Sequence, residues 1–404
     1  MKRTPLSPGT NATDRGAVSV YGLNAAAVLA LGTFVVGTDA FIVAAFLPSM
    51  AQELGVTQAM AGQSVTLFAL AYAVLAPVIA VLSATVKRRR LLVLALILLG
   101  LANLGSAMAN SFGLLIASRV AAAAAAAAYT PNAGAAAAAM VRPDSRARAL
   151  AIVIGGLTAA TAFGIPLGHW VSTALSWRAT FLLIAALCAA AALCIGMAMP
   201  EMPGGARVTL RQRLAVLQHR QVRRILPLTV LGMAACYAPY AFTLPILDGL
   251  LGHSESVTAM LLCYGLGAVA GNYLSGWATD RLGPVTVLTG AYALMFCALS
   301  AMALAWRHPP VAPVWAAMLM IGWGSSSWAQ TPAQQHRLIA SAPQETAFVV
   351  ALNSSAIYLG ISMGTAIGSQ SMQTDANLTL WYGGMLSAAA LCYLLMTATR
   401  PARQ

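Results

Sequence analysis

Acidic side chains are scarce in this chain: ten Asp and Glu stand against 23 Lys and Arg in 404 residues, and charged residues make up 8% of the whole. Soluble domains carry about 25% charged residues, so an ordinary water-soluble protein is excluded. Cysteine is sparse too. The six present (Cys188, Cys194, Cys236, Cys263, Cys297 and Cys392) are isolated from one another in apolar stretches, which reads as small packing residues with no disulfide or metal framework. The chain has no His-Glu-x-x-His, no histidine cluster and no second acid deep in an apolar run, so nothing supports enzyme chemistry or a cofactor. It also lacks a Gly-x-x-x-x-Gly-Lys loop, which argues against direct ATP coupling within this chain.

What the sequence has is hydrocarbon, with 59% hydrophobic residues. Windows of about 20 residues, the length that crosses a bilayer core, give twelve candidate spans. They begin near Leu23, Ala59, Leu91, Phe112, Ala147, Thr180, Ile225, Val257, Val285, Val311, Ala347 and Leu378. These are continuous apolar runs, whereas barrel strands alternate over about 10 residues, so the predicted class is an all-α membrane protein. The runs are too many and too long for one signal peptide, and the polar start Met1–Tyr21 has no cleavable apolar region, so a retained N-terminus is expected.

The net charge of +13 is explained by topology and anionic lipid, with no separate support for a nucleic-acid role. With a cytoplasmic N-terminus, twenty basic residues fall on one side: Lys2, Arg3, Arg15, Lys87–Arg90, Arg142, Arg146, Arg148, Arg207, Arg211, Arg213, Arg220, Arg223, Arg224, Arg281, Arg337, Arg400 and Arg403. Only Arg178 and Arg307 fall on the other, a positive-inside pattern that places both termini in the cytoplasm. The Asn11–Thr13 sequon is then on the wrong side for glycosylation.

Asp39 and Arg119 break the apolar pattern. Asp39 lies within the run Leu23–Leu47, and a carboxylate in hydrocarbon is costly, so it must face a polar interior or take up a proton. Arg119 is the embedded base, and an interaction between the two satisfies both. Asp39 reads either as a proton site or as a structural carboxylate; Arg119 either as a relay or substrate anchor, or as an arginine that holds carbonyls or snorkels toward an interface. His169, beside Trp170 at the outer end of its span, reads as an interfacial histidine.

The polar segment 201–224 divides the chain into a 22–200 half and a 225–404 half of six spans each, after a cytoplasmic segment 1–21. Its Pro203-Gly204-Gly205 start and basic run suggest a linker with an amphipathic surface helix. A shift of 196 residues carries Gly164 onto Gly360 and Gly168 onto Gly364, which suggests two parallel six-helix repeats with a site at their interface. Gly156, Ala160, Gly164 and Gly168, and then Gly360, Gly364 and Gly368, recur every fourth residue. Each set forms one small-residue face for tight packing, static or moving.

The run GWATDRLG, with Gly276, Asp280, Arg281 and Gly283, resembles the loop motif of the major facilitator superfamily; the first half keeps only the basic tail Lys87–Arg90, including Arg88 and Arg89. Arg119 in LLIASRVAAA is similar to that family's embedded arginine, and GIPLG (Gly164, Pro166, Gly168) resembles its antiporter motif. Thr38-Asp39, SWRATF (176–181) and NSSAIYLG (353–360) resemble the drug:proton antiporter branch with its sugar-efflux and drug-efflux members.

The resemblance implies a twelve-helix major facilitator fold, a latch at Gly276, Asp280, Arg281 and Gly283, and a seal between halves shaped by Gly164, Pro166 and Gly168. Tyr72, Tyr129, Tyr237, Tyr240, Phe242, Trp323, Trp328 and Tyr358 lie in spans that face the central cavity of that fold, with Gln330 and Asn353 as its polar groups. It further implies a monomeric carrier of the bacterial inner membrane. That carrier would export small amphiphilic drugs or sugar-like compounds in exchange for protons, the alternative being an uncoupled facilitator or importer of a small polar solute.

Overall fold

The structure, a computed structural model, describes residues 12–142, 146–204, 209, 211, 215–252 and 256–398, with backbone alone for 12–25, 146–147 and 347. Lys2, Arg3, Asn11, Gly205, Arg207, Arg213, Arg400 and Arg403 lie outside it, as does much of the segment expected to hold a surface helix. The described residues form α-helices and short turns, with no strand. The helices are α1 (Ala12–Phe41), α2 (Leu47–Glu53), α3 (Gln58–Leu82), α4 (Arg88–Ala107), α5 (Phe112–Ala139), α6 (Arg146–Ala159), α7 (Ile165–Ala174) and α8 (Trp177–Ala198). After the linker come α9 (Arg220–Tyr240), α10 (Thr243–Leu251), α11 (Val257–Leu282), α12 (Pro284–Ala305), α13 (Pro313–Ser341), α14 (Thr346–Met372) and α15 (Ala376–Ala398).

Each expected span has its helix, because a chain in hydrocarbon must satisfy its backbone groups internally. Among the described residues ten helices are long and apolar enough to cross a membrane, and the pair α9–α10, bent by 55°, makes an eleventh. The remaining expected span is α13, which at 29 residues has the length. Its hydropathy is lowered by Ser326, Ser327, Gln330 and Gln334, all turned into the protein interior. The fifth span is one passage of two helices, α6 and α7, joined by a π-helical turn at Ala160–Gly164 just before Pro166. Thr57, Ser111 and Ser176 cap α3, α5 and α8 by accepting from the N–H three residues on. All three caps lie at the end of the bundle away from Lys87–Arg90, here termed the far end; the other is the basic end.

Small residues set the helix contacts. A Cβ at Gly156 would meet the Ala30 carbonyl, at Gly164 the Thr38 side chain and at Gly168 that of Ile42, so this face of α6–α7 lies on α1. Gly360, Gly364 and Gly368 lie on Val230, Ala234 and Ala238 of α9 in the same manner. These contacts correct the repeat register. Gly164 on Thr38 corresponds to Gly364 on Ala234, and Gly168 on Ile42 to Gly368 on Ala238. Between these two glycine-bearing helices the shift is therefore 200 positions, one helical turn more than the 196 that separates their partners Thr38 and Ala234. The GIPLG glycines thus pack within the first six spans. At that level the contact between the two blocks of helices is made by Gly265 of α11, whose Cβ would meet the backbone of Thr161 and Ala162.

The linker is fastened at both visible ends. Arg88 N–H donates to the Met202 carbonyl (3.1 Å) and Gly204 packs on the Thr85 backbone. Val216 is buried with Val222, Ile225, Leu338, Ala342 and Val349.

Candidate functional site

Asp39 stands in the last turn of α1, where helix carbonyls run out of N–H partners three or four residues on. Arg119 of α5 meets both consequences: its Nη1 donates to Asp39 Oδ1 (2.6 Å) and its Nη2 to the Asp39 carbonyl (2.9 Å). The side chains are 0% and 1% exposed, so the pair is shut off from bulk water. The guanidinium also lies 4.5 Å from the Phe68 ring centroid and 5.6 Å from that of Phe181, favourable cation–π positions. Asp39 Oδ2 and Arg119 Nε have no hydrogen-bond partner among the described residues. A charge pair so placed is held by mutual attraction against a desolvation cost of several kcal/mol per ion, and removing either charge strands the other.

Two residues beyond Asp39, Phe41 leaves α1 and enters the second block of helices. Its ring lies 5.9 Å from Tyr237, 6.2 Å from Tyr240 and 6.3 Å from Trp328. The ion pair therefore anchors the segment whose next side chains join the two blocks.

Beneath this contact lies a central cavity of about 100 Å³ between the blocks. Its lining contains no charged side chain: Phe41, Tyr72, Thr130 and Leu157 come from the first block, and Cys236, Tyr237, Ser327, Trp328, Thr331, Ser354 and Tyr358 are among those from the second. Tyr72 and Tyr358 stack across the block boundary with centroids 3.6 Å apart at 18°. Cavities that hold drug-sized ligands measure about 300–1,000 Å³, so this one must widen before a substrate enters, and the tyrosine stack is the contact in the way.

Of the residues expected at the cavity, Tyr72, Tyr237, Trp328 and Tyr358 line it. The others lie elsewhere because each has a firmer claim on it. Tyr129 is held by its hydroxyl on the Leu29 carbonyl (3.0 Å), against Gly32. Gln330 donates to the Ser327 carbonyl (3.0 Å), and Asn353 accepts from Thr229 (3.0 Å), which Gln334 also contacts. Tyr240 and Trp323 pack with Tyr264, and Phe242 is buried against Gly62 and Gly368. His169 bonds the Ala45 carbonyl through Nδ1 (2.8 Å), tying α7 to the turn that follows α1.

Sequence reasoning missed Phe68 and Phe181 beside Arg119, and Thr130 and Thr331 in the lining. A signal for the threonines was present: Thr130-Pro131 and Thr331-Pro332 are equivalent dipeptides in the fourth and tenth spans. Each proline sits inside its helix and deprives a carbonyl of its partner near the cavity.

The loop-motif residues are at the basic end. Gly283 has φ +82° and makes the turn between α11 and α12, a conformation suited to glycine. Arg281 stacks on Trp277 (4.4 Å), and Asp280 is exposed with no hydrogen bond or ion pair among the described residues. Arg88 donates to Asn132 Oδ1 (2.6 Å) and Arg89 to the Gly196 carbonyl, so both are tied within the first six spans. Lys87 meets Glu201 at 2.9 Å and, with Arg89 and Arg90 nearby, holds the Glu201 carboxyl below its ordinary value.

Membrane-crossing helices around a cavity with no charged side chain among the described residues of its lining, and a buried ion pair beside the contact between two helix blocks, define a solute transporter. Comparison with known proteins is specific. The family profile of the Major Facilitator Superfamily matches residues 29–365. The chain is 32% identical over 371 residues to a chloramphenicol resistance protein of Streptomyces lividans, covering 90% of this chain and 93% of that one. It is 30% identical over 376 residues to the inner membrane transport protein YdhP of Escherichia coli K12, covering 92% and 95%. In fold it is similar to a D-xylose-proton symporter, with TM-score 0.76 at 13% identity over 91% of this chain and 96% of that one. The chain belongs to the Major Facilitator Superfamily: it is a multi-pass membrane transporter and not an enzyme.

Proposed function

We propose that this transporter exports small, uncharged amphiphiles across the bacterial inner membrane in exchange for protons, with residues 22–200 and 225–404 rocking as two units and both termini in the cytoplasm. The observation that carries the reading is the Asp39–Arg119 pair at the root of the Phe41 contact. With Asp39 ionised the pair holds the end of α1, and Phe41 keeps the far end shut. A proton delivered to Asp39 removes the attraction to Arg119 and loosens that segment, so the far end opens. Release of the proton to the cytoplasm restores the pair. The lining of hydroxyls and aromatic rings without a charge suits a neutral molecule with an apolar face. The chloramphenicol resistance protein among its relatives supports the same substrate class. Asp280, without an ion pair among the described residues, and Arg281 would close a latch at the basic end when the far end opens.

The competing reading, an uncoupled facilitator or importer, draws on the absence of Asp39 from the cavity lining. Proteoliposomes separate the two. Wild-type protein should accelerate chloramphenicol efflux when a pH gradient is imposed; Asp39→Asn should lose that acceleration while keeping substrate counterflow. Gradient-driven export that survives intact in Asp39→Asn removes Asp39 from the coupling role, and wild-type flux indifferent to the gradient favours the facilitator.

A further inference from the structure

The basic cluster at the start of α4 belongs to the positive-inside pattern, and its geometry gives it a more specific use. Lys87, Arg89, Arg90, Val93 and Leu94 form, with Gly196 and Glu201 at the end of α8, a surface recess of about 290 Å³. Glu201 is already neutralised by Lys87 at 2.9 Å, so the recess keeps a net charge of +2 from three bases and one acid. Arg90 is exposed and makes no hydrogen bond or ion pair among the described residues. The N-terminus of α4 adds its positive dipole end to these side chains.

Below the recess the surface changes character at once. Leu94, Leu98 and Leu101 stand exposed along one face of α4, and Leu193 and Met197 along the adjoining α8, which α4 crosses closely where Gly100 meets Cys188. A strip of this kind in a membrane-spanning bundle faces acyl chains. A compact cationic recess directly above an apolar cleft matches an amphiphile with an anionic head and two hydrocarbon tails.

We infer that the α4–α8 cleft at the basic end is a binding site for an anionic phospholipid, its phosphodiester held by Arg89, Arg90 and Lys87 and its acyl chains laid against Leu94, Leu98 and Met197. Since Arg89 also holds the Gly196 carbonyl and Lys87 reaches Glu201, the bound headgroup would brace the α4–α8 junction together with the start of the linker.

Native mass spectrometry of the full-length protein with phosphatidylglycerol or phosphatidylcholine tests the site. Wild type should retain phosphatidylglycerol preferentially. Surface charges contribute about fivefold in affinity each, so Arg89→Gln/Arg90→Gln should lose roughly 30-fold. Glu201→Gln removes the only acid of the recess and should retain phosphatidylglycerol more strongly, an outcome that impaired folding would not mimic. Arg220→Gln/Arg223→Gln, the same charge loss on α9, should leave retention unchanged. Equal retention of both lipids, an equal loss in the α9 control, or no gain in Glu201→Gln overturns the proposal. Displacement by millimolar inorganic phosphate would also overturn it, by showing a site for a free anion.

Discussion

The buried ion pair makes a quantitative demand on stability. Arg119→Met removes a guanidinium that donates at 2.6 and 2.9 Å and leaves the Asp39 carboxyl 0% exposed without a counter-charge. Stranding one partner of such a pair costs about 3–5 kcal/mol, to which the lost cation–π contact with Phe68 adds about 0.5–2 kcal/mol. Asp39→Asn strands the arginine instead, at a cost in the same range less whatever the amide oxygen recovers by accepting from Nη1. The double variant strands nothing, so its loss should fall well below the sum of the two singles, giving a coupling energy of about 3 kcal/mol. Reversible denaturation in mixed micelles, followed by tryptophan fluorescence on all four proteins, supplies the cycle. Losses that add to within about 0.5 kcal/mol would show that the two charges do not hold each other, and the role given to this pair in anchoring Phe41 would fall with it.

Gly265→Leu places a side chain against the Thr161–Ala162 backbone, a contact that the rocking scheme proposed above assigns to the state with the far end closed. Strain of about 1–3 kcal/mol on that state should raise the open population at least about fivefold, read as faster maleimide labelling of Cys236 from the far side in a single-cysteine background; unchanged labelling refutes the contact. The Lys87–Glu201 tie carries a pH dependence. Because the Glu201 carboxyl is held below its ordinary value, the pairing is complete above that value and is lost as pH falls through the lowered one. In infrared difference spectra the Glu201 carboxylate band should persist to lower pH than in Lys87→Ala, and coincident titrations would refute the tie.

Asp39 and Arg119 illustrate how much of the site was legible in the chain. With one deep acid and one embedded base, each too costly to leave alone in hydrocarbon, each was expected to find a polar partner, and their meeting was one candidate, which the structure shows. The loop glycine Gly283 was read from its resemblance to the family's loop motif, and the positive φ at the turn gives the physical reason for a glycine there. The cavity was half legible. Tyr72 and Tyr358 line it, but Tyr129, Gln330 and Asn353 spend their polar groups on neighbouring helices, which no local pattern reveals. The glycine stripes announced close packing without saying against what; both turned out to face helices of their own block.

The sequence by itself determined the number and length of the spans and their all-α character, and it singled out two buried charges in need of partners. Hydrocarbon imposes those terms on each segment separately. Only the tertiary structure decided the rotation of each helix about its axis, and with it the cavity lining, the offset of 200 between the fifth and eleventh spans and the insertion of Phe41 into the second block. Those follow from where one backbone can approach another, as Gly364 approaches Ala234 or Gly265 approaches Ala162, and that is a property of two distant segments at once.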